Sequence, residues 1–182
     1  MTTRSSKGFT LIEIIIVIVI LSIVSAISIK FLVDSLRIYT MTVNQKTLFD
    51  EGKLALERMC RDIRNARTIS TPAAGGSGTS ITFTRTHATA QDIANESITF
   101  QLTGSALEKV KASPSVTSAM ANNVSAFTIT RGATTDEITI GLTLSLTSGE
   151  HVTLQTKVYP KNLADSSTYK RFFQNWQEEL SS

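Results

Sequence analysis

The sequence predicts an α+β fold: one long N-terminal helix, apolar in its first half, packed on a small antiparallel β-sheet, with a short C-terminal helix after it. Three observations predict it. Residues 9–29 hold a single charge, Glu13. From Phe9 to Thr71 there is no proline, and Gly52 is the sole glycine, so nothing forces a helix to stop. Beyond Gly78 the apolar period changes from the helical value to two. The chain has 182 residues, of which 41% are apolar and 18% charged, which excludes global disorder. Its formal charge of +3 owes two units to Arg4 and Lys7, so the basic balance argues little for nucleic acid. One cysteine, Cys60, excludes an internal disulfide and any multi-cysteine metal site.

The first element is the run FTLIEIIIVIVILSIVSAISI, 21 residues and enough for a helix to cross a hydrocarbon core of about 30 Å. Two basic residues and no acidic ones precede it, which keeps residues 1–8 cytoplasmic and exports the bulk of the chain. A cleavable secretory signal is the competing reading, with Val24-Ser25-Ala26 as its cleavage site. The run is too long for that, and it carries a carboxylate near its start. A carboxylate in a spanning helix costs roughly 2.5–3.5 kcal/mol and is by default functional, with a partner.

Lys7-Gly8-Phe9-Thr10-Leu11-Ile12-Glu13 resembles the prepilin signal of type IV pilins and type II secretion pseudopilins. The resemblance implies that prepilin peptidase, a membrane enzyme, cuts between Gly8 and Phe9 and that Phe9 is then N-methylated. It also implies an assembly role for Glu13. Cleavage leaves an amine at the head of an apolar helix, and Glu13 of a neighbouring subunit neutralises it, so that two buried charges offset each other's desolvation.

The second half of the helix, residues 31–70, is amphipathic. Leu48, Leu56, Met59, Ile63 and Ala66 fall at helical spacing, with Gly52 at the missing step. One helix over residues 9–69 would be a rod of roughly 90 Å at 1.5 Å per residue. Cys60 lies beside Met59 and reads as a small core residue rather than a reactive thiol. Arg58, Arg61, Arg64 and Arg67 recur every three residues. They are candidate partner contacts, or a ridge for nucleic acid. Glu57, four residues before Arg61, and Asp62 among them favour a solvated face with local ion pairs.

Residues 71–79, with Thr71-Pro72-Ala73-Ala74-Gly75-Gly76-Ser77-Gly78, read as a flexible connector. Residues 80–163 form the sheet domain. Ile81-Thr82-Phe83-Thr84, Ile98-Thr99-Phe100-Gln101-Leu102 and Phe127-Thr128-Ile129-Thr130 alternate, and Ile138, Ile140, Leu142, Leu144 and Leu146 share one face. Ser148-Gly149 makes a turn, and Val152, Leu154, Thr156 and Val158 return on that face. One side of such a sheet is buried, and the Leu56-Met59-Ile63 stripe is its cover. This is the pilin-like lollipop. Residues 55–66 also resemble the helix end of J-type pseudopilins and of PilW-like and MSHA-biogenesis-O-like minor pilins, and Asn122-Asn123-Val124 and Val158-Tyr159-Pro160 add softer likeness. The apolar half lacks the proline common in major pilins, and one cysteine cannot close their C-terminal loop, which points to a minor subunit.

In residues 164–182, Tyr169, Phe172, Phe173, Trp176 and Leu180 recur at i, i+3, i+4, i+7 and i+11, an aromatic helical stripe. It either docks on its own sheet or anchors another subunit. No catalytic constellation, cofactor motif or metal spacing can be defended, and His87 and His151 read as surface residues. The expected role is that of a structural subunit, not an enzyme. It initiates or caps a type IV pilus or secretion pseudopilus, with prepilin peptidase, other pilins and the bacterial inner membrane as partners. The alternatives are a membrane-anchored binding module that never polymerises, or a DNA-uptake pilin.

Overall fold

The computed structural model describes residues 8–85, 93–134 and 136–163. The leader residues Arg4 and Lys7, His87, and the aromatic tail with Tyr169, Phe172, Phe173, Trp176 and Leu180 lie outside the described residues. The chain divides into two compact units, Met1–Asn44 and Gln45–Ser182. Helix α1 (Leu11–Arg64) supplies all the secondary structure of the first unit and continues into the second.

In the first unit the apolar side chains of α1 are exposed. Two hydroxyls of this stretch are satisfied within the helix. Ser22 Oγ donates to Val19 O at 2.8 Å, and Ser28 Oγ to Val24 O at 2.8 Å. Such bonds back to the helix's own carbonyls lower the cost of placing a hydroxyl in lipid.

In the second unit α1 buries Leu48, Gly52, Ala55, Leu56, Met59, Asp62 and Ile63, the expected helix positions with Ala55 and Asp62 added. Nine strands follow among the described residues: β1 (Ala66–Thr71), β2 (Ser77–Gly78), β3 (Ser80–Arg85), β4 (Ser97–Thr103), β5 (Ala106–Ala112), β6 (Ser115–Ala121), β7 (Val124–Arg131), β8 (Ile138–Ser145) and β9 (His151–Val158). They form two antiparallel sheets rather than one, of order β1-β3-β4-β5-β6 and β2-β7-β8-β9. Phe83, Phe100 and Leu107 of the first sheet and Phe127, Ile140, Leu142 and Leu144 of the second share a single core with the helix stripe. Gly52 lets the helix come close. A Cβ there would lie 2.7 Å from Leu144 Cδ1 and 2.8 Å from Leu154 Cδ1. On the outer faces, hydroxyls pair across strands, as between Thr82 and Thr99 at 2.9 Å and Thr143 and Thr153 at 3.1 Å.

Two expected boundaries move. The helix ends at Arg64, not near Ile69, because residues 66–71 pair with β3, where β-branched Thr68, Ile69 and Thr71 fit a pleated surface. Residues 71–79 are not a loose connector. Ser77 and Gly78 pair with Thr130 and Ile129 of β7, so the chain crosses from one sheet to the other and back. Arg131 pins the crossing, donating from Nη1 to Ile69 O at 3.1 Å and to Pro72 O at 3.4 Å. Gly75, at φ 77°, supplies the left-handed residue this turn needs.

Candidate functional site

The N-terminal motif starts outside the helix. Gly8, Phe9 and Thr10 precede α1, all are exposed, and a Cβ on Gly8 would meet nothing within 4 Å. The Gly8–Phe9 peptide bond therefore lies in non-helical chain with open space beside it, the state a peptidase requires. Thr10 caps the helix. Glu13 N donates to Thr10 Oγ1 at 3.3 Å, while Thr10 N points back to Glu13 Oε2 at 3.5 Å. This reciprocal arrangement is a capping box, and it holds the carboxylate at the positive end of the helix dipole. The spacing Thr10-x-x-Glu13 carries the signature of this cap, a reading not drawn from the sequence above.

The four spaced arginines do not act as one ridge. All four are exposed, but Arg67 belongs to β1, where its Nη1 donates to Asn95 Oδ1 at 3.4 Å. The Arg64 carbonyl accepts from Lys161 N at 2.9 Å and so ties the chain after β9 to the helix end. Arg58 and Arg61 border an open groove of about 1170 Å³ between α1 and the inner face of β5 and β6. Leu54, Val116 and Met120 give this groove apolar walls, and Lys109 and Lys111 add to its positive charge. Neither Arg58 nor Arg61 has an ion-pair partner among the described residues. Glu57, expected to pair with Arg61, instead faces Lys53 at 3.8 Å.

Asp62 is not part of a solvated face. It lies three residues past Met59 on the buried stripe and is 8% exposed. Its Oδ1 accepts from Arg85 Nη1 at 3.2 Å and its Oδ2 from Lys109 Nζ at 3.0 Å. One acid thus links the helix to β3 and β5 at the floor of the groove. Sequence reasoning grouped Asp62 with the neighbouring arginines because it read the charge run, not the helix face.

Cys60 is half-buried against the core. Burial pushes its thiol pKa up, opposed by a hydrogen bond with Thr156 and the nearby Arg64 charge. A raised pKa makes it a poor nucleophile. On β9 Lys157 Nζ meets Glu137 Oε1 at 2.8 Å, and Tyr159 Oη donates to the same carboxylate. The Lys157 bond, with the Tyr159 bond next, holds the Glu137 carboxyl below its ordinary range, while Glu137 pushes Lys157 up. Among the described residues no group of His, Cys, Asp and Glu is placed to hold a metal ion.

Residues 3–29 match the family described as the prokaryotic N-terminal methylation motif. No curated protein and no solved structure matches the chain. The match covers the N-terminal segment alone, which it marks as a prepilin-type methylation signal. Helix α1 is long and apolar enough to cross a membrane.

Proposed function

We propose that this chain is a minor pilin or pseudopilin, cut between Gly8 and Phe9, methylated on Phe9, and carried into a type IV pilus or type II secretion pseudopilus by its apolar helix. Before assembly it crosses the bacterial inner membrane once, with residues 1–8 in the cytoplasm and the sheet unit outside. The observation that carries this reading is the matched motif, with its Gly8–Phe9 bond ahead of an uncovered apolar helix. Among the described residues nothing covers that helix, and lipid or neighbouring subunits supply the cover. In this reading Glu13, bonded to Thr10 at the helix start, is the carboxylate that meets a neighbour's N-terminal amine. A lone cysteine and a proline-free apolar half favour a minor subunit, which initiates or caps the filament.

Mass spectrometry of the membrane-extracted protein tests the reading. The expected chain begins at methylated Phe9. A chain beginning at Ile27 would make this an ordinary secreted protein and end the proposal.

A further inference from the structure

Each sheet ends in two edge strands, and among the described residues these differ in how open they are. Strand β1 has register shifts near both ends, carries Arg67, and gives its Ile69 carbonyl to Arg131. Strand β2 is two residues long, and β9 carries His151 and Lys157. Shortness, irregular register and charge are devices that keep an edge from pairing further. Strand β6 has none of them over most of its length. No charged residue and no proline falls within Ser115–Ala121, and its register with β5 is unbroken from Ser115 to Ala119. Those five residues are all exposed. Alternate residues of an antiparallel edge turn their N–H and C=O groups away from the sheet. Among the described residues no further strand and no backbone bond meets those of Ser115–Ala119.

One side of β6 borders the groove, where Val116, Ser118 and Met120 stand across from Leu54, Arg58 and Arg61. Val116 is 40% exposed and Leu54 48%. The acids that line the groove are engaged, Glu57 with Lys53 at 3.8 Å and Asp62 with Arg85 and Lys109. Arg58 and Arg61 enter no ion pair among the described residues.

We propose that β6 takes up an extended, acidic segment of another protein chain as one more strand of the first sheet. The open edge selects an extended backbone, because only such a backbone matches its spacing of donors and acceptors. The stretch Ser115–Ala119 is about 14 Å long at 3.4 Å per residue, so about five residues of the segment pair. Side chains of the added strand alternate between two surroundings. Those on the groove side meet the apolar Val116 and Leu54 and the guanidinium groups of Arg58 and Arg61, which suits apolar and acidic residues. Those on the other side lie beside Ser115 and Thr117, which suits small polar ones. A second copy of this chain fits worse. A two-fold axis through β6 would set both grooves on one face of a continuous sheet, each with its own Arg58 and Arg61, and like charges would gather there. The inference stands whether or not the chain enters a filament.

The test uses the full chain in a non-ionic detergent and a capped, fluorescent peptide, Thr-Glu-Thr-Val-Thr-Glu-Thr. Its anisotropy should rise to saturation as the protein is added. At saturation, amide hydrogen exchange of residues 115–121 should slow about tenfold, and that of β9 should not change. Replacing both peptide glutamates by glutamine should weaken binding about tenfold. Arg58→Glu with Arg61→Glu, both exposed, should weaken it at least as much and leave the melting temperature unchanged. The same peptide with its amides N-methylated keeps its charge but cannot pair as a strand, and it should not bind. Equal binding of the methylated peptide would reduce the site to a charge contact and overturn the proposal. So would the absence of saturable binding, or protection that falls outside β6. Slow exchange of residues 115–121 before any peptide is added would overturn it too, giving the edge to a second copy if it fades on dilution and to the chain itself if it does not.

Discussion

Asp62→Ala is the most informative single change in the sheet unit. Asp62 holds Arg85 at 3.2 Å and Lys109 at 3.0 Å, and the three side chains are only 12%, 5% and 15% exposed. Deleting the acid leaves two cations facing each other where water reaches poorly. Removing one partner of a buried ion pair costs 3–5 kcal/mol, and because both cations also interact elsewhere, the low end applies, about 3 kcal/mol. For a unit of this size that is a fall in Tm of roughly 10 °C. The assay is a thermal or urea melt of the full chain in detergent, followed through the β-sheet circular dichroism. Arg61→Ala, one residue away but exposed, should stay within about 0.5 kcal/mol of the parent. Replacing the whole triad, with Asp62→Leu, Arg85→Met and Lys109→Met, should be far milder than Asp62→Ala, since no buried charge is then left alone. An Asp62→Ala protein as stable as the parent would refute the reasoning.

Three further outcomes are expected. Glu13→Ala and Glu13→Gln should leave cleavage and membrane insertion intact but lower incorporation into filaments, read by immunoblot of sheared fractions. Gln can keep the bond to Thr10 N but not the charge, so rescue by Glu13→Gln would assign Glu13 to capping alone. Cys60 should alkylate at least about tenfold more slowly at pH 8 in the folded chain than in urea, because burial disfavours its thiolate. The Glu137–Lys157 pair gives a pH signature of defined sign. Glu137 is depressed, so its contribution is complete above its ordinary value of 4.5 and is lost as pH falls below it. Lys157 is raised, so its share persists up to its ordinary value of 10.5 and is lost above. Glu137→Gln should flatten the acid limb of a Tm–pH curve relative to the parent.

What the sequence made legible follows a physical division. The α1 stripe and strands β3, β4, β7, β8 and β9 each bury large apolar residues at a strict period, and each was readable. Strand β5 hides its role because Lys109 and Lys111 occupy inward positions where a period-two reading expects apolar residues. Strand β6 has mainly small residues, and β2 is two residues long, too short for any period. Alternation also says which way a side chain points, not which strand lies beside it. The split into two sheets was therefore invisible, and only the Gly75 turn and Arg131 reveal how the chain crosses. The helix end was misplaced for a related reason: Ala66 stays buried and continues the stripe after the backbone has become a strand.

The candidate site divides the same way. Gly8, Phe9 and Glu13 are local in sequence, and local chemistry can be read directly. The arginines are not, because a helix turns about 100° per residue and a three-residue step falls 60° short of a full turn. Arg58 and Arg61 stay on the rim, while Asp62, one further step of 100°, rotates onto the Met59 face and meets Arg85 and Lys109. Six residues later the same three-residue step leaves the helix entirely, and Arg67 reaches across a sheet edge to Asn95. A run of charges is thus the wrong unit of analysis. The unit is the face, and on that basis only Arg58 and Arg61 of the four arginines line the groove.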